Sequence, residues 1–110
     1  MTGNEIYKQA CMLLEYEAEQ SETAKATALN CLNNILCDLS VSPTVETLET
    51  EIKISPTNAF ITAFGVAMLL AQIRLDTVRQ GWMAEVYFAK RAQVKAEITR
   101  RGEALPTVTA

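Results

Sequence analysis

The sequence predicts an all-α protein: a bundle of about four helices with a long C-terminal helix, an extended loop or short strand segment at 41–54, and a short C-terminal arm. Apolar residues recur at helical spacing along most of the chain, and side chains that cap helices precede those stretches. A chain of 110 residues with 49% hydrophobic content is large enough for one core. We therefore expect a single domain over 1–110.

The first part of the chain, 1–40, predicts a pair of amphipathic helices. The first helix begins after Thr2 or Gly3 and continues to about Ala18, with Glu5 near the positive end of its dipole. Its apolar positions follow the helical period and form one face: Ile6, Ala10, Leu13 and Leu14.

The second helix of the pair is capped by Ser21 or Thr23 and reaches about Leu39. Its apolar stripe repeats every three or four residues: Ala24, Ala28, Cys31, Leu32, Ile35 and Leu39. Asparagines at positions 30, 33 and 34 lie mostly off that stripe, which predicts a surface or partner-facing location for them.

The chain has three cysteines, Cys11, Cys31 and Cys37. An odd number without a pairing pattern does not indicate a disulfide framework, and a reducing compartment suits it best. Neither a histidine nor a Cys-x-x-Cys spacing accompanies them, so we expect no metal site. We expect all three to fill the core, where free cysteine is common.

The segment 41–55 is predicted as a loop, because Pro43 stops a helix and β-branched residues accumulate after it. Apolar and charged residues alternate from Leu48 to Ile54, which allows one strand that would pair elsewhere in the chain or with another copy. The other interpretation, which we favour slightly, is an irregular connection packed by Leu48 and Ile52.

Residues 56–102 predict a central helix and a long one. Ser55 and Pro56 start a helix that reaches about Leu75 and is apolar nearly all round, as expected of a central helix. Asp76 or Thr77 caps the next helix, although the break between the two helices could be only a kink.

This last helix is predicted to continue to Arg101 and to end at Gly102, before a tail at 103–110. It has two apolar rows. One contains Trp82, Val86, Ala89 and Ala96, and the other contains Met83, Tyr87, Val94 and Ile98.

Charge is divided along the chain. Residues 1–51 contain nine acidic and two basic side chains, for a net charge of −7, whereas residues 52–110 contain eight basic and four acidic ones, for +4. Two explanations are open: solvated faces that happen to differ, or head-to-tail association of an acidic face with the next copy's basic face.

The composition makes enzymatic chemistry an unexpected function. With no histidine, the commonest general base and metal ligand is missing. The chain has no phosphate-binding glycine loop, no Gly-x-Ser-x-Gly and no zinc spacing. We therefore expect no catalytic residue, no metal and no cofactor.

Targeting signals are not expected either. Residues 1–7 lack the basic start and apolar run of a secretory signal. The most apolar stretch, 59–71, is shorter than the roughly 20 residues of a membrane span, so no membrane partner is expected.

The second half of the chain resembles a known family. The run from Ala63 to Ala71, which contains Gly-Val-Ala, is followed by Asp76, by a long aromatic and basic helix with a Tyr-x-x-Lys-Arg pattern, and by Leu-Pro. This arrangement resembles the small helical head-tail adaptor proteins of tailed bacteriophages. The likeness covers roughly residues 55 to 106.

The resemblance implies a structural virion protein at the neck, assembled in the bacterial host cytoplasm. Copies would form a ring beneath the portal, commonly dodecameric, which extends the DNA channel, lets DNA pass without sequence-specific binding, and joins the capsid to the next neck or tail protein. The implied portal-docking residues are Arg100, Arg101, Gly102, Leu105 and Pro106. The implied inter-subunit or tail-side loop contains Glu46, Leu48, Glu49, Glu51 and Ile52.

Two alternative functions share the same composition. The basic helix face formed by Lys90, Arg91 and Lys95 could bind phosphate in a small nucleic-acid-binding or regulatory module. A phage assembly chaperone would differ from an adaptor only in its partner.

Overall fold

A computed structural model describes residues 1–100 of the chain. Within them it has four helices and no strand: α1 (Gly3–Leu14), α2 (Glu22–Leu39), α3 (Pro56–Ile73) and α4 (Thr77–Arg100). The all-α, four-helix prediction is confirmed, including the long last helix. The predicted helix end at Gly102 and the arm at 103–110 lie outside the described residues.

Each helix begins at a side chain that the sequence marks as a cap. The Thr2 hydroxyl accepts from the Glu5 amide at 3.2 Å, and the Glu5 carboxylate accepts from the Thr2 amide at 2.8 Å. Ser21 and Ser55 accept from amides three residues later at 3.2 and 3.1 Å. Asp76 does the same for α4 at 3.2 Å. These bonds satisfy amides that have no partner within their own helix.

Two helices end earlier than the sequence predicts. α1 ends at Leu14 rather than near Ala18, because Glu15 takes the left-handed conformation at φ 61° and its amide bonds back to the last turn. α3 ends at Ile73 rather than Leu75, which has φ 58°. The junction between α3 and α4 is therefore a true break and not a kink.

α3 lies at the centre and packs against the other three helices. Most of it is buried, and its one buried polar side chain, Thr62, donates to the Asn58 carbonyl at 2.7 Å. By length and composition α3 could cross a membrane, a criterion that buried core helices also meet, and 56% of it is buried inside the fold.

The connection between α2 and α3 is an irregular loop that belongs to the core. Leu48 and Ile52 are each only 2% exposed. The loop is fastened to the start of the chain: the Asn4 amide donates to the Leu48 carbonyl and the Ile52 amide to the Met1 carbonyl, both at 2.8 Å. One isolated bridge between Thr2 and Glu51 is the only β-type pairing among the described residues. Of the two interpretations of this segment, the irregular packed connection is confirmed and the strand is not.

The cysteines divide into two kinds. Cys11 and Cys31 are buried, as the sequence predicts, but Cys37 is exposed, so the prediction for it is wrong. Cys37 follows Leu36 on α2 and lies off the stripe that faces the core, with its neighbours Leu36 and Leu39 taking the buried positions.

Candidate functional site

The two apolar rows of α4 have different surroundings. Met83, Tyr87 and Val94 are buried against the rest of the fold. Tyr87 packs against α3 at Gly65, where a side-chain carbon would come within 2.7 Å of the tyrosine ring. In the other row Trp82, Ala89 and Ala96 are exposed and Val86 is half-buried.

A polar cluster around Asp38 joins the end of α2 to α4. The carboxylate accepts from the Tyr87 hydroxyl at 2.5 Å and from Arg91 Nε and Nη2 at 2.7 and 3.1 Å. Lys95 Nζ donates to the Asp38 backbone carbonyl at 2.5 Å. The hydrogen bond from Arg91 holds the pKa of Asp38 below its ordinary value, whereas burial raises the pKa of Tyr87.

A second polar cluster lies at the turn between α3 and α4. The Tyr16 hydroxyl donates to Asp76 Oδ2 at 2.7 Å, and Arg79 lies 3.3 Å from both Asp76 and Glu15. The guanidinium of Arg74 stacks 4.2 Å from the centre of the Tyr16 ring. The hydrogen bond from Tyr16 keeps the pKa of Asp76 low.

These clusters bear on the divided charge. Asp38 and Glu15 belong to the acidic half of the sequence, and Arg91 and Arg79 belong to the basic half. Together with Arg74 and Glu19, they form three ion pairs between the two halves within one chain. Of the predicted basic helix face, Arg91 and Lys95 both contact Asp38, and Lys90 takes no part in that cluster.

The predicted loop surface also splits in two. The side chains of Leu48 and Ile52 are buried in the core. A contact between this loop and another protein would therefore use the glutamate side chains of the loop. Glu49 pairs with Lys25, which lowers the pKa of Glu49, and Glu51 pairs with the amino terminus. Glu46 is exposed.

The predicted docking residues are described only in part. Arg100 is exposed at the end of α4 and pairs with Glu97 at 2.8 Å. Arg101, Gly102, Leu105 and Pro106 lie outside the described residues.

The side of α4 that faces away from the core is nearly uncharged. We call it the α4 outer face. Its six positions are all exposed, and only Glu85 among them is charged. They are Val78, Trp82, Glu85, Ala89, Ala92 and Ala96. Val78 and Trp82 are each 60% exposed. A solvent-facing helix surface is usually polar or charged, and a group of exposed apolar side chains on one face marks a binding site more often than single exposed residues do.

A second uncharged surface lies between α2 and α3. We call it the α2–α3 groove. It has a volume of about 440 Å³ and is lined by Thr27, Asn30, Cys31 and Asn34 of α2 and by Leu69, Gln72 and Ile73 of α3. Its lining combines apolar side chains with amide groups that can donate or accept hydrogen bonds.

Sequence reasoning found the Trp82 row as an apolar pattern and missed that Trp82, Ala89 and Ala96 of this row are exposed. The signal was present, because two apolar rows on one helix exceed what a single core needs. The groove had no sequence signal, since its residues come from two helices about 40 positions apart.

Among residues 1–100, no group of three or more His, Cys, Asp or Glu side chains could hold a metal ion. Burial raises the pKa of the Cys31 thiol to about 11 and also raises that of Cys11, so neither is an activated nucleophile. Comparison with protein-family models, with curated proteins and with solved structures finds no match for this chain.

Proposed function

We propose that this protein is a structural head-tail connector of a tailed bacteriophage, a non-enzymatic adaptor that forms a ring beneath the portal. The observation that carries the proposal is the α4 outer face, where exposed Val78 and Trp82 lead into a row of alanines with a single charge. Leaving such a surface in water forgoes roughly 25 cal/mol for each Å² of apolar area that a partner could cover.

The rest of the fold suits a component of an assembly. The core is continuous from α1 to α4, and the Asp38 cluster fixes α4 to α2. A helix held in this way presents its outer face without paying further ordering entropy on binding. The resemblance of residues 55–106 supplies the specific partners: the portal, the next neck or tail protein, and DNA that passes through the channel.

Nucleic-acid binding takes second place as a function. Phosphate binding requires free cationic side chains, and Arg91 and Lys95 of the basic helix face already contact Asp38. The alternative function, an assembly chaperone, would use the same surface to bind a different partner.

The test is native mass spectrometry and electron microscopy of the purified chain, alone and with the portal protein encoded in the same genome. We expect closed rings that bind the portal. Trp82→Glu should abolish the rings, and Met12→Glu is the matched control, since Met12 is 74% exposed on α1 and should leave them intact.

Two outcomes would contradict the proposal. One is a chain that stays monomeric, ignores the portal and shifts duplex DNA at low salt, which is the behaviour of a nucleic-acid-binding module. The other is a Met12→Glu variant that loses the rings as fully as Trp82→Glu does, which would remove the α4 outer face as the cause.

A further inference from the structure

We propose that the α4 outer face of one copy binds in the α2–α3 groove of the next copy, with the Trp82 indole seated in that groove. The inference deepens the proposed function and rests on it in one respect, that copies of this chain associate. Because the outer face and the groove are two different surfaces of the chain, their contact is heterologous, and it closes into a ring or continues as a filament.

The chemistry of the two surfaces matches. Tryptophan is an apolar body with one N–H donor, and a buried indole usually finds an acceptor. The groove offers Leu69 and Ile73 for the ring, and the exposed amides of Asn30 and Asn34 for the indole N–H. Its volume of about 440 Å³ is in the range that holds compact organic groups.

The two surfaces are also electrostatically compatible, because both carry almost no charged side chains. The groove lining has no ionisable carboxylate or amine, and the outer face has only Glu85. Seating the Trp82 indole therefore removes no charged side chain of the groove from water. A buried charge without a partner is the costliest defect of an interface. Two arginines of α4 are already paired within the chain, Arg79 with Asp76 and Arg91 with Asp38.

The area favours a second copy that repeats around a ring. The α4 outer face spans positions 78–96, about 27 Å of helix. A groove lined by seven residues covers only part of it, so one contact is smaller than the roughly 800 Å² per partner of a standard interface. Each copy in a closed ring uses both surfaces, its own outer face and its own groove. A copy leaves a closed ring only when both of its contacts break, so a ring is held more firmly than an isolated pair, which forms at higher concentration.

The experiment mixes two variants. Trp82→Glu breaks the outer face and keeps the groove, and Asn34→Arg breaks the groove and keeps the outer face. Both positions are exposed, and circular dichroism checks that each variant keeps its helices. Each alone should be monomeric in sedimentation velocity, with self-association at least about 30-fold weaker than that of the wild type, the loss typical of an interface hot spot.

Their mixture should form a one-to-one pair, identified by mass, and nothing larger. An Asn34→Arg variant that self-associates like the wild type would overturn the inference and point to a two-fold contact between α4 helices. A mixture that stays monomeric, or a wild type that stays monomeric at its highest attainable concentration, would overturn it as well.

This outcome is separable from that of the proposed function. If the mixture pairs but the wild type does not bind the portal, the connector function fails and the contact between copies stands. If the wild type forms rings on the portal while the mixture does not pair, the connector function stands and this contact is wrong.

Discussion

Replacing Gly65 with alanine should destabilise the protein, whereas the same replacement at Gly81 should stabilise it. A Cβ at Gly65 would lie 2.7 Å from a Tyr87 ring carbon and 2.8 Å from two Ile35 carbons. Unstrained carbon contacts are about 3.5–4.0 Å. Overpacking of this kind costs about 1–3 kcal/mol, and the upper value applies because Asp38 holds the Tyr87 hydroxyl and limits how far the ring can move.

Helix propensity acts in the opposite direction at both glycines. Alanine is favoured over glycine in a helix interior by about 1 kcal/mol, so the net loss of free energy of unfolding for Gly65→Ala is about 2 kcal/mol. At Gly81 an added Cβ has nothing within 4 Å, so only the gain of about 1 kcal/mol remains.

Urea unfolding followed by far-ultraviolet circular dichroism measures both variants. The comparison is made at protein concentrations where the midpoint no longer depends on concentration, because association of copies would add to the apparent stability. A Gly65→Ala variant as stable as the wild type would show that α2 and α4 do not approach α3 as closely as described. A Gly81→Ala variant less stable than the wild type would show that this position is not open helix surface.

Three further measurements address the thiols, the Asp38 cluster and the loop. In the native protein Cys37 should react with a thiol reagent at the rate of an exposed cysteine, while Cys31 should react only on unfolding. Mass spectrometry of the modified protein measures both rates, and equal rates would contradict the different burial of the two thiols. Asp38→Asn should lower the free energy of unfolding at pH 7 by about 1 kcal/mol, a value kept small because the pair with Arg91 is partly exposed. The pKa of Asp38 in the folded protein lies below its ordinary value of 3.8, so this contribution is present above pH 3.8 and is lost as the pH falls through the folded pKa. In urea titrations the difference in free energy of unfolding between Asp38→Asn and the wild type should therefore be smaller near pH 2 than near pH 7. Ile52→Ala should cost about 3 kcal/mol in the same assay, and a loss below about 1 kcal/mol would mean that the loop is not part of the core.

The helix starts were predictable because their signals are local. A serine or threonine followed by a helical pattern, or Ser55 before Pro56, satisfies amides within three residues of itself. The helix ends were less predictable. Glu15 and Leu75 take the left-handed conformation that glycine usually supplies, so neither has the residue type that would have marked the end.

The candidate site depended on contacts that no local pattern contains. Tyr87 and Arg91 reach Asp38 across about 50 positions of sequence, and nothing in either helix alone indicates that pair. Periodicity found both apolar rows of α4 but could not tell which one faces the core. That choice is made by tertiary packing, through the close approach of Tyr87 to Gly65.

The fastening of the loop to the start of the chain has a consequence for dynamics. Hydrogen bonds link Asn4 to Leu48 and Ile52 to Met1, and Leu48 and Ile52 are both buried. We therefore expect the connection and the first turn of α1 to open as one cooperative unit, with similar hydrogen-exchange protection for the amides of Asn4 and Ile52. A partner that pulled the acidic loop away from the bundle would have to release the amino terminus in the same step.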